Sequence, residues 1–450
     1  MYRMSKNAEL TPAMIKAYID TWAPERRRLN RLYEYYVGKH DILQRSSSDP
    51  AKPNNCIVNP YPSYIVDVYT GYFMGEPVTY ACDDEALKEA LDQINSYNDE
   101  AAEDAELAKD AGIFGRAVEL VYTDEDAKLR FRKLPPQDCI PIYDDTLEAD
   151  LLYLIRLYEE TDILRSTVRR FAEVYSRDGV KTYRCDGAVV PVGDAAREHQ
   201  FGMVPVVVYD NNEEQLGDFE PVLSLIDAYD KIQSDSVNDM EYFSDAYLVL
   251  QGLQGTDAEQ IAAMKRNRVM LLPEQGASAQ WLVKDINDTY VENLKTRIDR
   301  SIHKFSKCPA MTDEDFASNA SGVAMKYKLM GLETATSKKE RAFKKGLQRR
   351  IELLTAVLNL QGGNYDYRSV EMTFTRNIPA NLVEMADVIT KVGNLLSQET
   401  QIGMLPIDVD PKKELEKRQQ EDEENLGMTF TDAYGPEVSE DGAYEINGFQ

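Results

Sequence analysis

Two acid pairs are the first residues in this 450-residue chain whose spacing could do chemistry, Asp83-Asp84 and Asp144-Asp145. Adjacent carboxylates can hold a divalent cation, so they raise a metal-dependent nuclease as one reading. Both pairs also sit among turn-forming residues, where an Asp side chain more simply caps a helix or closes a turn. The three histidines, His40, His199 and His303, lie far apart and read as packing or surface residues. The five cysteines (Cys56, Cys82, Cys139, Cys185 and Cys308) are scattered without a C-x-x-C. That pattern fits reduced thiols made in a cytoplasm, and no zinc site or disulfide framework is expected. The chain contains no G-x-x-x-x-G-K-[ST], G-x-S-x-G or H-E-x-x-H. No ATPase loop, nucleophile elbow, bound metal or cofactor is therefore expected.

Composition narrows the class further. The formal net charge is −27 and 43% of residues are hydrophobic, enough for real cores. So acidic a chain makes a poor phosphate binder, but suits a surface that must not adhere to DNA. Acidity for solubility alone is the blander account. No apolar run approaches the ~20 residues that a membrane-spanning helix needs. The first twenty residues also lack the apolar core of a signal peptide.

The elements follow from periodicity. Residues 10–44 read as helical, with Thr11 as cap and Pro12 at the first helical position. A polar, Pro-containing loop, RSSSDPAKPNN, comes next and reads as mobile. A short helix through Ile65 and Tyr69 precedes a strand at 78–80, and two amphipathic helices then meet near Asn98. From 116 to 209 the texture is β, beginning with a hairpin of RAVELVY and KLRFRKL. This predicts an α+β region with a mainly antiparallel sheet.

Three long helical stretches follow. The first, 217–250, carries Phe219, Val222, Leu223, Ile226, Tyr229, Ile232, Val237, Met240, Phe243, Tyr247 and Leu250 mostly three or four residues apart. A run of roughly thirty residues would reach about 45 Å. The second, from about residue 287, carries Tyr290, Leu294, Ile298, Ile302 and Phe305. The third runs from 323 to 360. Between the first two lies a short insert with a small helix at 258–264 and strands RVMLL and AQWLV. A strand ending at Pro379 and an amphipathic helix from 381 follow the third. Beyond residue 421 the chain reads as an acidic, disordered tail. Long apolar stripes need covering; an ordinary helical hairpin in a monomer core would do so, and so would a ring of identical subunits.

Several segments, taken in order, carry a resemblance. They are YYVGKHDI (35–42), PNNCIVNPYPSYIVDVYTGYFMGEPVTY (53–80), AGIFGRAVELVY (111–122), 225–250, SGVAMKYKLMGLE (321–333) and FTRNIPANLVEMADVI (374–389). Over residues 10–420 the chain resembles the portal proteins of tailed bacteriophages, of the siphovirus type found in phages of Gram-positive bacteria. The resemblance implies a portal fold: an α+β wing, a long-helix stem, a small α/β clip and a helical crown, assembled as a ring. On it, 1–217 is the N-terminal part of the wing, 218–250 the first stem helix, 251–286 the clip and 287–306 the second stem helix. Residues 307–322 are the tunnel loop, 323–380 the long helix and its return to the wing, 381–421 the crown and 422–450 the tail.

The same resemblance implies a structural part and not an enzyme. About twelve subunits would form a ring at one capsid vertex, made in the host cytoplasm and carried in the virion. Double-stranded DNA would pass through it without sequence specificity during packaging and ejection. The other partners would be the terminase large subunit, a head-completion or adaptor protein, and the scaffold and major capsid proteins. A different phage ring adaptor is the neighbouring reading, disfavoured by length.

Candidate residues follow from that mapping. Asp313, Glu314 and Asp315, with Phe316 and Lys307, would line the DNA channel at the tunnel loop; otherwise Thr312 to Asp315 is an acidic helix-flanking turn. Lys265, Arg266 and Arg268 beside Trp281 would dock a partner at the clip, unless Trp281 only fills the clip core. Lys338, Lys339, Arg341, Lys344, Lys345, Arg349 and Arg350 crowd the third helix. They would pair with acids of a neighbouring subunit or meet DNA.

Overall fold

The computed structural model describes residues 2–47, 52–164, 166–193, 196–243, 247–251, 278–282, 288–311, 322–377 and 396–403, with positions 259, 389–391, 414–415, 417–419 and 421. The chain divides into two units, one of Met1–Asn319 with Lys326–Asn377, the other of Ala320–Met325 with Ile378–Gln450.

The first unit opens with strand β1 (Tyr2–Met4) and helix α1 (Pro12–Tyr36). The Thr11 hydroxyl accepts from the Met14 amide at 3.4 Å, as the sequence predicts. The helix stops at Tyr36, and Gly38 turns the chain at φ +80° into a 3-10 turn at Asp41–Gln44. Helix α2 (Tyr61–Met74) and strand β2 (Thr79–Ala81) follow. Helices α3 (Glu85–Asn98) and α4 (Glu100–Phe114) meet at Asp99, which takes the left-handed conformation at φ 53°.

The β region forms two larger sheets where one was expected. Strands β3 (Arg116–Thr123) and β4 (Leu129–Leu134) make the anticipated hairpin, and β11 (Val206–Asp210) adds antiparallel to β3. The other sheet holds β5 (Cys139–Asp144), β6 (Leu151–Asp162), β7 (Thr167–Tyr175), β8 (Gly179–Arg184), β9 (Val190–Pro191) and β10 (Arg197–Glu198). Its order is β1-β5-β6-β7-β8-β10, with β9 also on β8. Strand β1 joins parallel to β5, pairing Tyr2 with Ile142; three residues are too short a run to announce themselves by alternation. Val118, Leu134, Cys139, Leu154, Tyr175 and Val206 pack as one buried cluster.

Helix α5 (Leu223–Phe243) follows a 3-10 turn at Glu220–Val222. It is shorter than expected. Residues Tyr247–Gln251 form strand β12, antiparallel to β13 (Ser278–Leu282), with Leu248 opposite Trp281. The segment YLVLQ is rich in strand formers, and its apolar positions happened to continue the helical period. The expected strand AQWLV is thus present with a different partner; RVMLL and most of the small helix lie outside the described residues. Helix α6 (Asp288–Ser306) and helix α7 (Gly322–Leu360) match their predicted spans closely.

After α7, the expected long strand is a 3-10 turn (Tyr367–Ser369) and a short strand β14 (Glu371–Thr373) paired with β2. A larger core gathers Phe73, Leu87, Leu107, Ala111, Phe131, Val207, Tyr209, Phe343, Leu347 and Leu354. It thereby draws α2, α3, α4, the β3–β4–β11 sheet and the second half of α7 together. In the second unit, helix α8 (Gln398–Gly403) is capped by Ser397, whose hydroxyl accepts from the Thr400 amide at 3.3 Å. The predicted helix from 381 falls mostly outside the described residues, as does the acidic tail.

Candidate functional site

The acid pairs turn out to serve local structure. Asp84 caps α3, accepting from the Ala86 and Leu87 amides at 3.0 and 3.1 Å. Asp144 is fully buried. Its Oδ1 accepts from the Thr146 hydroxyl at 2.7 Å and the Thr146 and Asp150 amides at 3.2 and 3.1 Å. The Thr146 hydrogen bond leads in holding this carboxyl below its usual range. Among the described residues, no group of three or more His, Cys, Asp or Glu is arranged to hold a metal ion.

What the fold does build is a set of polar fastenings around α5, α6 and α7. The inward stripe that runs from the 3-10 turn into α5 is apolar only at its start. Phe219, Val222 and Ile226 are buried, and the stripe then continues along α5 as Asp230, Ser234 and Asn238. Segment 54–59 lies against these polar positions. The Asn55 amide donates to Asn238 Oδ1 at 2.6 Å, the Ile57 amide to Ser234 Oγ at 2.9 Å and the Asn59 amide to Asp230 Oδ1 at 2.8 Å. The geometry explains the register. Four helical residues rise about 6 Å, and two extended residues advance about 6.6 Å. Every second amide of the strap therefore meets every fourth side chain of the helix. His40 closes the end, its Nδ1 2.5 Å from Asp230 Oδ2 and its Nε2 3.1 Å from the Tyr35 carbonyl.

Helix α2 supplies a second set of fastenings through its tyrosines. Tyr61 donates to Asp299 of α6 at 2.6 Å, and Tyr69 to the Ser306 carbonyl at 2.9 Å. The Tyr64 hydroxyl donates to the Pro309 carbonyl at 2.9 Å and accepts from the Met311 amide at 2.7 Å. Tyr72 donates to Glu333 of α7 at 2.7 Å. Burial first, and then the facing carboxylates, push the Tyr61, Tyr69 and Tyr72 phenols far above their ordinary value. They therefore remain donors. One helix thus bonds to α6, to Pro309 and Met311 just after it, and to Glu333 of α7. Lys307 ends α6 in the left-handed conformation, at φ 60°.

The basic cluster on α7 divides. Lys339 and Arg350 are 3% and 2% exposed. Lys339 Nζ lies 2.6 Å from Asp218 Oδ2, and Arg350 meets Asp104 and Glu119 at 2.5 and 2.8 Å. Carboxylates of their own chain take up these two, which the sequence had given to a neighbouring subunit or to DNA. Lys344 donates to the Met372 carbonyl at 3.3 Å, and Arg349 pairs with Glu352 at 2.6 Å. Lys338, Arg341 and Lys345 are the members left exposed. Meanwhile large apolar side chains stand open on α6 and α7, with Phe305 57%, Tyr327 74% and Met330 62% exposed.

Of the other candidates, Asp313, Glu314, Asp315, Phe316, Lys265, Arg266 and Arg268 lie outside the described residues. Trp281 is placed by its strand register alone. The strap and the tyrosines were missed at the sequence level. Their signal was present in the i, i+4 spacing of Asp230, Ser234 and Asn238, and in alternate Asn55, Ile57 and Asn59.

The model of the family described as phage portal protein, SPP1 Gp6-like, matches residues 15–428. The chain belongs to this portal family. Two portal proteins are similar to it along nearly their whole length. That of Bacillus phage SPP1 is 25% identical over 444 residues, covering 92% of this chain and 87% of the relative. That of Clostridium phage phiCD119 is 24% identical over 449 residues, covering 93% and 98%. The family match takes in the strap, the α2 tyrosines and all three long helices.

Proposed function

We propose that the chain assembles as a closed ring of about twelve subunits through heterologous contacts. The ring sits at one capsid vertex as the passage for DNA during packaging and ejection. In this reading the chain is not an enzyme: the terminase large subunit docks on the ring and supplies the motor. A head-completion or adaptor protein seals it later, and the scaffold and major capsid proteins surround it.

The proposed parts follow the resemblance to portal proteins. The wing takes 1–217, and α5 and α6 are the stem helices, the first ending at Phe243. The clip takes the insert with β12 and β13, the tunnel loop 307–322, the long helix and its return 323–380, and the crown 381–421. Asp313, Glu314, Asp315, Phe316 and Lys307 belong to the channel. Lys265, Arg266, Arg268 and Trp281 belong to partner docking, and Lys338, Arg341 and Lys345 to a neighbour or to DNA.

One observation supports the ring beyond family membership. Phe305, Tyr327 and Met330 present apolar surface that a lone subunit leaves in water. A second copy covers it. Negative-stain images of the purified chain, with light scattering at several concentrations, test this. Rings with a central hole are expected; compact 51.1 kDa monomers throughout would remove the proposal.

A further inference from the structure

Three carboxylates converge on one guanidinium inside the first unit. Helix α4 places Glu100 and Asp104 one turn apart, strand β3 adds Glu119, and Arg350 comes from α7. Arg350 Nη2 lies 2.5 Å from Asp104 Oδ1 and 2.8 Å from Glu119 Oε1, with Nη1 3.9 Å from Glu100 Oε1. All four residues are buried, and the guanidinium also lies over the Phe131 ring at 4.4 Å. Tyr80 of β2 donates to Glu100 at 2.6 Å, and Tyr209 of β11 to Glu119 at 2.7 Å. Glu103 of α4 accepts from the Lys133 amide, and Arg132 of β4 adds a more distant positive charge.

The count does not balance. Three negative charges against one positive, in a region closed to water, leave charge without a partner. One atom shows where. Asp104 Oδ2 is buried without a hydrogen-bond partner, as is Arg350 Nη1, and the neighbouring carboxyl that raises Asp104 is Glu100, another acceptor. Two facing acceptors are stable only with a proton between them.

We propose that Asp104 is a proton-binding site, its carboxyl kept protonated at neutral pH with Oδ2–H donating to Glu100, and that loss of this proton weakens the junction of α4 with α7. Burial pushes the Asp104 carboxyl up, Arg350 opposes the rise and Glu100 adds to it, to about 8. Burial pushes Glu119 up as well, against Arg350. The folded chain thus holds a proton that an unfolded chain releases near pH 4. Its stability declines as pH rises through the window from about 4 to about 8, and no further decline from this group follows above that. Nothing in this depends on the ring or on DNA.

Asp104→Asn mimics the protonated form. Its Oδ1 still accepts from Arg350 and its Nδ2 donates to Glu100, without titrating. The full chain and this variant are compared from about pH 5 to about pH 9.5, by thermal unfolding and by infrared difference spectroscopy. The wild type should show a protonated-carboxyl band at neutral pH that disappears at the alkaline end. The variant should lack it. The ratio of the two unfolding constants should shift in the variant's favour by up to about tenfold per pH unit inside the window. Should Asp104→Asn fail to fold, the wild-type band and its shift to lower pH in Glu100→Gln carry the decision. Absence of the band at neutral pH, or unfolding profiles that run parallel, would overturn the proposal.

Discussion

Lys339 Nζ lies 2.6 Å from Asp218 Oδ2, both side chains buried, across 121 residues of sequence. Asn211 donates to the other carboxylate oxygen at 2.8 Å, and the ammonium sits 5.1 Å from the centre of the Tyr69 ring. The pair ties the middle of α7 to the entry of α5. Gly112 makes room for it: a Cβ there would come 2.6 Å from Asp218 Oδ2.

Lys339→Met should therefore destabilise the subunit by about 3–5 kcal/mol, since it strands a buried carboxylate. Combining it with Asp218→Asn should recover much of that loss. Gly112→Ala should be harmful alone and milder beside Asp218→Ala, where the clashing oxygen is gone. Denaturant unfolding of these variants and of Asp218→Asn and Asp218→Ala alone measures this; losses that simply add in the double mutants would mean the pair is not coupled.

Tyr64→Phe removes one hydroxyl that makes two hydrogen bonds beyond α6. A cost of about 1–2 kcal/mol is expected. Hydrogen exchange at the Met311 amide should accelerate more than exchange at the middle of α6. Tyr33→Phe is the control, because the Tyr33 ring stacks on Phe114 with centroids 6.1 Å apart and keeps that contact as Phe.

Asp230→Ala should be among the costlier single changes on α5. It takes the acceptor from the Asn59 amide, from Asn59 Nδ2 at 2.8 Å and from His40. With buried donors at about 1–3 kcal/mol each, a loss of at least about 3 kcal/mol follows. Asp230→Asn should cost less, because its oxygen still serves Asn59. Limited proteolysis near residues 48–55 gives an independent reading, with cleavage faster in the Ala variant.

On the proposed channel role, changing Asp313, Glu314 and Asp315 together to Ala should leave assembly nearly unchanged, since substitutions away from the subunit core usually shift stability by under about 0.5 kcal/mol. DNA packaging should slow, and the triple Lys variant should slow it more, because attraction to phosphate replaces repulsion. Added salt should shrink the difference. A packaging assay with procapsids, terminase and ATP ranks wild type, Ala and Lys. Equal packaging by all three would take these acids out of the mechanism, and failure of the Ala ring to form would make them structural.

The residues around Thr11-Pro12, Asn98-Asp99 and the turn between β3 and β4 show what was legible locally. Caps, turn formers and period act over a few neighbours, so α1, α3, α4 and the first hairpin could be placed from sequence. The ordered segments of the resemblance likewise agreed with the family match. The limit appears at YLVLQ, where helical spacing and strand propensity overlapped and pairing with β13 decided for strand.

The candidate site was less legible, for the same reason at longer range. Period marked one face of α5 as apolar, but the face that is buried turns polar at Asp230, because segment 54–59 brings amides that need acceptors. Composition marked α7 as a basic surface, but Lys339 and Arg350 point inward because Asp218, Asp104 and Glu119 arrive from other elements. Sequence by itself determined α1, α3, α4 and the first hairpin, and to which family the chain belongs. Only the tertiary structure decided which charges are buried and what they hold, since a buried charge is tolerated only where distant residues supply its partner.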